Sequence, residues 1–405
     1  MSMGFWLLLG WSGVAAFWWL MAIALVHASR KLGKPASQKE SAALPSLVIF
    51  KPLPPNQTNE ITRSLSTAIE SFVSQMDDSC EMLIGIPMEL SDRWLPILDR
   101  WRTDFPGIRI RAVVRDTPVQ YANPKIAWME ILSPEANGTV WLWSDADITA
   151  SPGMLSHIRG LLEASPQIGA VTVPYRVGST ARAAGWLDAL FVNMEFLPGA
   201  LLLRKTGPVP LAFGAAVLFR SEDFSRRISW PELGASLADD HELGKQLAPV
   251  LIAETVADTC ALEVKLGPAL KHVYRWQKTI RWCRPGGFAA LLVILPLSGW
   301  LFFVFRNPTT PSVWMGLVGQ YLFEISVAVA LLNRAGFHGP KSGGFLTLIW
   351  PVLRVVMWLA AWLPLPVIWQ NPSDSWSHAK RENSASLQNP SKTSPGAKRF
   401  RGPPR

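Results

Sequence analysis

Residues 4–26 run for about 23 positions without a charged side chain and are rich in Trp and Leu. So long an apolar run has few physical solutions: as a helix it is long enough to cross a hydrocarbon core of about 30 Å. Its flanks argue against a cleaved leader. A signal peptide wants a cationic start, a shorter apolar core and a small-residue cleavage site, whereas here Arg30, Lys31 and Lys34 follow the run. Cations on that side place the exit in the cytoplasm. Residues 288–305 and 312–332 are two further spanning runs, joined by a short link with Arg306, Asn307 and Pro308, and together predict a helical hairpin. Residues 345–369 are long enough to span but carry Arg354, Pro351, Pro364 and Pro366. In lipid these cost charge burial and hydrogen bonds, so this region is expected to be interfacial or re-entrant. The topology is then consistent, because two later crossings return the chain to the cytoplasmic side, where the basic tail belongs.

That tail, from His378 onward, carries seven Lys and Arg against the single Glu382, a net +6 of the formal +9. Its other residues are mostly Pro, Ser, Asn and Gly, a composition that cannot bury a core and predicts disorder. Anionic lipid headgroups are the expected partner of such a tail on a membrane protein, with a merely solubilising role as the alternative. Nucleic acid is not, since only Phe400 stands among the cations. Cys80, Cys260 and Cys283 are three in number and lack Cys-x-x-Cys spacing, which excludes a disulfide framework or a zinc site and fits a reducing compartment. The resulting plan is a transmembrane helix over residues 1–28, a soluble domain over 44–284, a membrane region over 285–370 and a basic tail over 371–405.

Between the membrane segments, short apolar strands alternate with amphipathic helices, the pattern of an α/β layer fold with a largely parallel sheet. Residues 46–51, 81–86, 108–114, 139–144 and 170–175 read as strands, and 60–76 and 93–105 as helices with one apolar face. The most telling polar motif is Asp145-Ala146-Asp147, directly after the apolar run from Thr139 to Ser144. Strand ends are where α/β folds bind nucleotides, and two carboxylates one residue apart can hold a hard divalent cation against a diphosphate. Read alone, the same tripeptide also suits plain turn chemistry. Lys51 ends the first strand and can reach a phosphate as a point charge. Lys125, in Asn123-Pro124-Lys125, opens the helix before the fourth strand, where a solvated first-turn lysine is equally ordinary. In Ala238-Asp239-Asp240, Asp239 suits an N-cap, which leaves Asp240 over for a general base. Lys278 and Arg281 lie three apart on one helical face, at the boundary of the first C-terminal membrane run.

Taken in this order, these residues resemble the membrane-bound glycosyltransferases of the family 2 and 21 type, in particular the ceramide glucosyltransferase group with its bacterial hopanoid-associated relatives. The resemblance covers residues 49–282. It is carried by Phe50-Lys51-Pro52-Leu53, Asn123-Pro124-Lys125-Ile126, Leu142-Trp143-Ser144-Asp145-Ala146-Asp147-Ile148, Ala238-Asp239-Asp240 and Ile280-Arg281-Trp282. It implies a GT-A type nucleotide-sugar domain, Rossmann-like with a mostly parallel sheet, on the cytoplasmic face of a multi-pass cell-membrane protein. It also implies a UDP-sugar donor, a divalent metal (Mg or Mn) and inversion at the anomeric carbon. Through it, Asp145 is the acid beside the ribose or sugar, Asp147 the metal ligand and Asp240 the general base on a membrane lipid hydroxyl. Lys125 contacts the diphosphate, and Arg281 with Trp282 matches the family's arginine-tryptophan signature. Two differences stand out. Ile86-Pro87-Met88-Glu89 occupies the place of the family's uracil-recognising aspartate, with Glu89 as the substitute one residue late. Lys278 precedes Arg281 where the family has Gln or Arg, Gln277 being one position off.

Two competing readings remain. A processive polysaccharide synthase shares the catalytic core but needs more crossings than this chain offers. A catalytically weak membrane scaffold is the reading that Met88 and Lys278 favour. A transporter has no use for roughly 240 polar-patterned residues between membrane segments.

Overall fold

A computed structural model describes residues 3–32, 45–118, 120–121, 123–236, 238–261, 265–364, 367–368 and 375–376; the basic tail from residue 378 lies outside them. Helix α1 (Met3–Leu32) leads into a seven-stranded sheet of order β3-β2-β1-β4-β8-β6-β9. Strands β1 (Leu47–Pro52), β2 (Cys80–Pro87) and β3 (Arg109–Arg115) alternate with α2 (Asn59–Val73) and α3 (Ser91–Asp104). Then come α4 (Pro124–Leu132), β4 (Val140–Ser144), β5 (Ile148–Thr149), α5 (Met154–Glu163), β6 (Ala170–Thr172) and β7 (Tyr175–Ser179). The β1–β2, β2–β3 and β1–β4 pairings are parallel, as the βαβ alternation predicts. All six residues of β1 are buried, which suits a central strand covered on both faces. The starts of α2 and α4 carry side-chain caps: Thr58 Oγ1 accepts from Ile61 N at 3.3 Å, and Asn123 Oδ1 accepts from Lys125 N at 3.1 Å.

The run expected as one strand over 170–175 is two strands in two sheets. β6 pairs with β8 (Ala216–Arg220), whereas β7 joins a small sheet with β10 (Ala257–Cys260) and β5. Pro174 stands at the break, where its missing N–H ends one ladder before the next begins. Strand β8 runs antiparallel to both β4 and β6, and β9 (Val250–Ile252) parallel to β6. Between β7 and β8 lie α6 (Trp186–Phe191), a π-helical turn (Val192–Phe196) and α7 (Leu197–Arg204). Helices α8 (Ser221–Arg227), α9 (Trp230–Gly234) and α10 (Asp239–Gln246) follow β8.

The remaining elements are α11 (Leu266–Cys283), α12 (Pro285–Ala290), α13 (Pro296–Arg306), α14 (Pro311–Ala335) and α15 (Phe345–Trp362). Among the described residues, four helical stretches are long and apolar enough to cross a membrane: Met3–Arg30, Ala183–Arg204, Pro311–Ala335 and Lys341–Trp362. The run expected as a single span over 288–305 is bent by 64° between Ile294 and Pro296. Leu295 sits there at φ −117°, ψ 47°, since the following proline ring disfavours helical backbone before it. Ala183–Arg204 went unread in the sequence because Asp188, Asn193 and Glu195 interrupt its apolar run. In the separate unit from Pro364, Val367–Ile368 pairs antiparallel with Ser375–Trp376.

Arg354, the charge that argued against a span over 345–369, lies inside α15 at 1 % exposure with two carboxylates. Its Nε is 3.1 Å from Glu195 Oε1, and its Nη1 is 3.1 Å from Glu324 Oε2 on α14. Gln277 of α11 donates to Glu195 at 3.3 Å, Gln320 donates to Glu324 at 2.9 Å, and the guanidinium lies 4.8 Å from the Trp19 ring of α1. One cation thus ties together five helical segments, and the cost of burying it is offset only while both acids stay in place. Arg354→Met is expected to cost about 3–5 kcal/mol by stranding two buried carboxylates. Adding Glu195→Gln and Glu324→Gln should recover much of that loss. Thermal unfolding in detergent checks this, and equal losses in the single and triple variants would contradict it.

Candidate active site

The strand order fixes where a site can form. β2 and β3 lie on one side of β1 and β4 on the other, so the connections diverge at the carboxyl ends of β1 and β4 and open a crevice there. Lys51 ends β1 next to Pro52, and Ser144-Asp145 ends β4. The Lys51 side chain does not project into this crevice. It is fully buried, donating to Ser144 Oγ at 2.9 Å and to Asp145 O at 2.8 Å, with its ammonium 3.7 Å from the Phe72 ring centroid. Burial pulls this ammonium down to about 7, against the attraction of Asp147 and Asp145. Lys51 therefore braces the acidic turn from below, a role that a lysine at a strand end does not announce.

Lys125 reaches the same turn from α4. Its Nζ sits 2.7 Å from Asp145 Oδ1 and 3.2 Å from Asp239 Oδ2. Burial opposes its charge, but Asp145 and Asp239 outweigh burial and hold it protonated well above the usual lysine range. Asn123 does two jobs here, capping α4 and donating from Nδ2 to Asp239 Oδ1 at 3.0 Å. Asp239 is not the helix cap that the sequence suggested: Ala238 holds that position without a side-chain bond, and the Asp239 carboxylate is engaged by Asn123 and Lys125 instead. The pairing joins residues 116 positions apart, which local sequence could not show.

Asp147 accepts from Thr259 Oγ1 of β10 at 2.8 Å, and burial followed by the nearby Asp145 raises its carboxyl. Asp240, at the start of α10, accepts from Gly214 N at 2.7 Å and from His241 N at 2.8 Å. Burial and then Asp239 push Asp240 up to about 6, with Lys125 pulling the other way. A Cβ placed on Gly214 would lie 3.3 Å from Asp240 Oδ2 and 3.4 Å from Asp145 Oδ2. The two carboxylates therefore flank one backbone position, and Gly214 is a site residue with no motif to mark it. The Tyr175 hydroxyl feels burial first, then Asp240, Asp145 and Asp147, all of which raise it. Burial, followed by the charge of Arg284, lowers the neighbouring His241; sequence did not single out Arg284.

The other expected residues have partners of their own. Glu89 is exposed in the turn Met88–Leu90 after β2. On α11, the Arg281 guanidinium lies 5.5 Å from the Trp362 ring centroid, and the Lys278 ammonium 5.9 Å from that of Trp282. Lys278 also donates to Ala361 O at 3.1 Å and to Leu363 O, capping the end of α15. Among the described residues, no three His, Cys, Asp or Glu side chains form a cage for a metal ion. Oxygen donors such as Asp145 and Asp147 suit Mg or Mn when a diphosphate and water supply the other ligands. The donor set fits that chemistry.

The profile of the family described as Glycosyl transferase family 21 matches residues 14–375. No curated protein matches the chain. Among solved structures, a mannosyltransferase from Pyrobaculum calidifontis in complex with GDP-Man and Mn2+ is 13 % identical at a TM-score of 0.43, covering 87 % of this chain and 97 % of its own. GalNAc-T7 with UDP, GalNAc and Mn2+ is 11 % identical at 0.38, covering 61 % of this chain and 51 % of its own.

Gly214→Ala should disturb the two flanking carboxylates without unfolding the sheet, because the contacts are tight rather than overlapping. Displacements of this kind cost up to roughly 100-fold in turnover. A fall in kcat/KM with an unchanged melting temperature is the expected result; full activity would show that the carboxylates at this position are not functional.

Proposed function

The chain belongs to glycosyl transferase family 21 and is a glycosyltransferase, and we propose that it moves one hexose, glucose or N-acetylglucosamine, from a UDP-sugar to the hydroxyl of a membrane lipid of ceramide or hopanoid type. The observation that carries the proposal is the meeting of Asp145 and Asp240 at Gly214, with Asp147 two residues along, at the mouth of the sheet's crevice. The apolar helices that flank and interrupt the domain support a lipid acceptor, since helices spanning a bilayer on both sides of the domain would set the crevice near headgroup level. Arg30 and Lys31 at the end of the first apolar helix support a cytoplasmic position for the domain.

In this reading Asp240 takes the proton from the acceptor hydroxyl. The acceptor oxygen then attacks the anomeric carbon as the bond to the diphosphate oxygen breaks, which inverts that centre in one displacement. The backbone donors Gly214 N and His241 N aim the Asp240 carboxylate while leaving it lone pairs for the proton. Asp147 would hold a divalent cation, whose charge offsets that of the departing diphosphate. Lys125 holds Asp145 in place for the ribose or sugar, and Lys51 keeps the turn between them rigid. Burial of Asp240 has a clear purpose here, because a base near 6 is ionised at neutral pH yet more basic than an exposed aspartate.

Membranes incubated with UDP-sugars, manganese or magnesium and a lipid extract are expected to yield a lipid-linked sugar, and Asp240→Asn should abolish it. Absence of product with wild type, or an unchanged rate in the variant, would sink the proposal. A ladder of long products on a gel would instead indicate the polymerising reading.

The same carboxyl sets a pH dependence. Only its ionised form accepts a proton, so kcat/KM should drop about tenfold per unit below pH 6 and level off above it. Lys125 lowers the Asp240 carboxyl, so Lys125→Met should move this acid limb to higher pH. A pH–rate profile of both forms reads the shift directly.

A further inference from the structure

Away from the acidic crevice, a cavity of about 410 Å3 opens between the C-terminal ends of α1 and α14, lined by His27, Arg30, Ala330, Asn333 and Arg334. We infer that it binds the phosphate-bearing headgroup of an anionic lipid, in the leaflet that faces the α/β domain. The side is given by the chain just beyond Arg334. His338 O accepts from Thr180 N and His338 N donates to Gly178 O, both at 3.0 Å, which fastens this end of α14 to β7 of the domain.

The chemistry of the lining is that of an anion site. Arg30 and Arg334 bring two guanidinium cations, and among the described residues neither makes an ion pair with a carboxylate. The ends of two helices offer about half a negative charge each, so two guanidiniums exceed what the helix dipoles attract by about twofold. A guanidinium has no acceptor atom, so Arg334 Nη1, 3.2 Å from His27 Nδ1, must donate to the imidazole lone pair. That fixes the His27 proton on Nε2 and leaves it as a further donor. With the Asn333 amide, the cavity offers forked cationic donors and neutral donors together, the set that phosphate oxygens take. Topology alone needs cations at a helix end but needs no cavity between them.

A lipid rather than a free phosphate is favoured by what lies below the donors on the same two helices. Leu20 of α1 and Val329 of α14 are exposed at 62 % and 45 %, toward the membrane side of His27 and Asn333. An occupant with a charged head and apolar chains matches both parts, and basic pockets between membrane helices take such headgroups.

The test uses the full chain in nanodiscs of phosphatidylcholine with phosphatidylglycerol mixed in, counting retained phosphatidylglycerol by native mass spectrometry. Arg30→Gln with Arg334→Gln is expected to weaken retention roughly 25-fold, at about fivefold per cation. Asn333→Glu, which removes no cation but brings a like charge to the phosphate, should weaken it too and guards against a misfolded double variant. Equal retention by wild type and both variants would overturn the site. Displacement by soluble glycerol phosphate or inorganic phosphate at matching concentration would overturn the lipid assignment in favour of a free phosphate. The readout is independent of sugar transfer, so its failure leaves the catalytic reading untouched.

Discussion

Crowding of like charge is the constraint that the cleft must satisfy. Asp145, Asp147, Asp239 and Asp240 converge on one edge of a buried sheet, and a like-charge pair at 4 Å costs roughly 4 kcal/mol at an effective dielectric of 20. Two lysines make this tolerable in different ways. Lys125 is ionised and shared between Asp145 and Asp239, so it cancels charge directly. Lys51 is buried so deeply that its ammonium is brought down to about 7, and it acts mainly by holding Ser144 Oγ and Asp145 O in place. The remaining excess negative charge falls on Asp147 and Asp240, whose carboxyls are both raised. Those are the two acids for which a cation and a proton respectively are proposed. The cleft is therefore built to attract positive charge where its own lysines stop.

How much of this could be read in the sequence depends on the reach of each interaction. The acidic tripeptide was legible because the apolar run from Thr139 to Ser144 marks a buried strand, and strand ends are local features. Asn123 and Pro124 likewise announced a helix start at Lys125. The partners were not legible. Asp239 meets Lys125 and Asn123 only through the fold, and Gly214 matters only because two carboxylates pass on either side of it. Lys51 shows the limit most plainly: a lysine at a strand end has the same local sequence whether it faces a phosphate or lies over the ring of Phe72. The helix over 183–204 was hidden for a related reason. Its polar residues look like solvated positions until Asn193 is seen holding Val177 N and O at 3.0 and 2.9 Å, and Glu195 holding Arg354.

One short segment is shared by the apolar helices and the cleft. The π-helical turn Val192–Phe196 widens its helix by a residue, a feature that recurs at functional sites. Glu195 on this turn meets Arg354 of α15 and Gln277 of α11, whereas its neighbour Phe196 packs against Tyr175 with ring centroids 4.4 Å apart. Tyr175 in turn lies within the field of Asp240, Asp145 and Asp147. Adjacent residues on one irregular turn thus answer to a buried ion network on one side and to the acidic cleft on the other. Regular α-helical geometry sets consecutive residues about 100° apart, and the extra residue of a π turn changes that angle, letting both contacts form at once. Because Arg354 also reaches α14 and the Trp19 ring of α1, the position of Tyr175 at the cleft is set by how these helices pack. The apolar helices and the acidic edge of the sheet are in this way parts of a single packed unit.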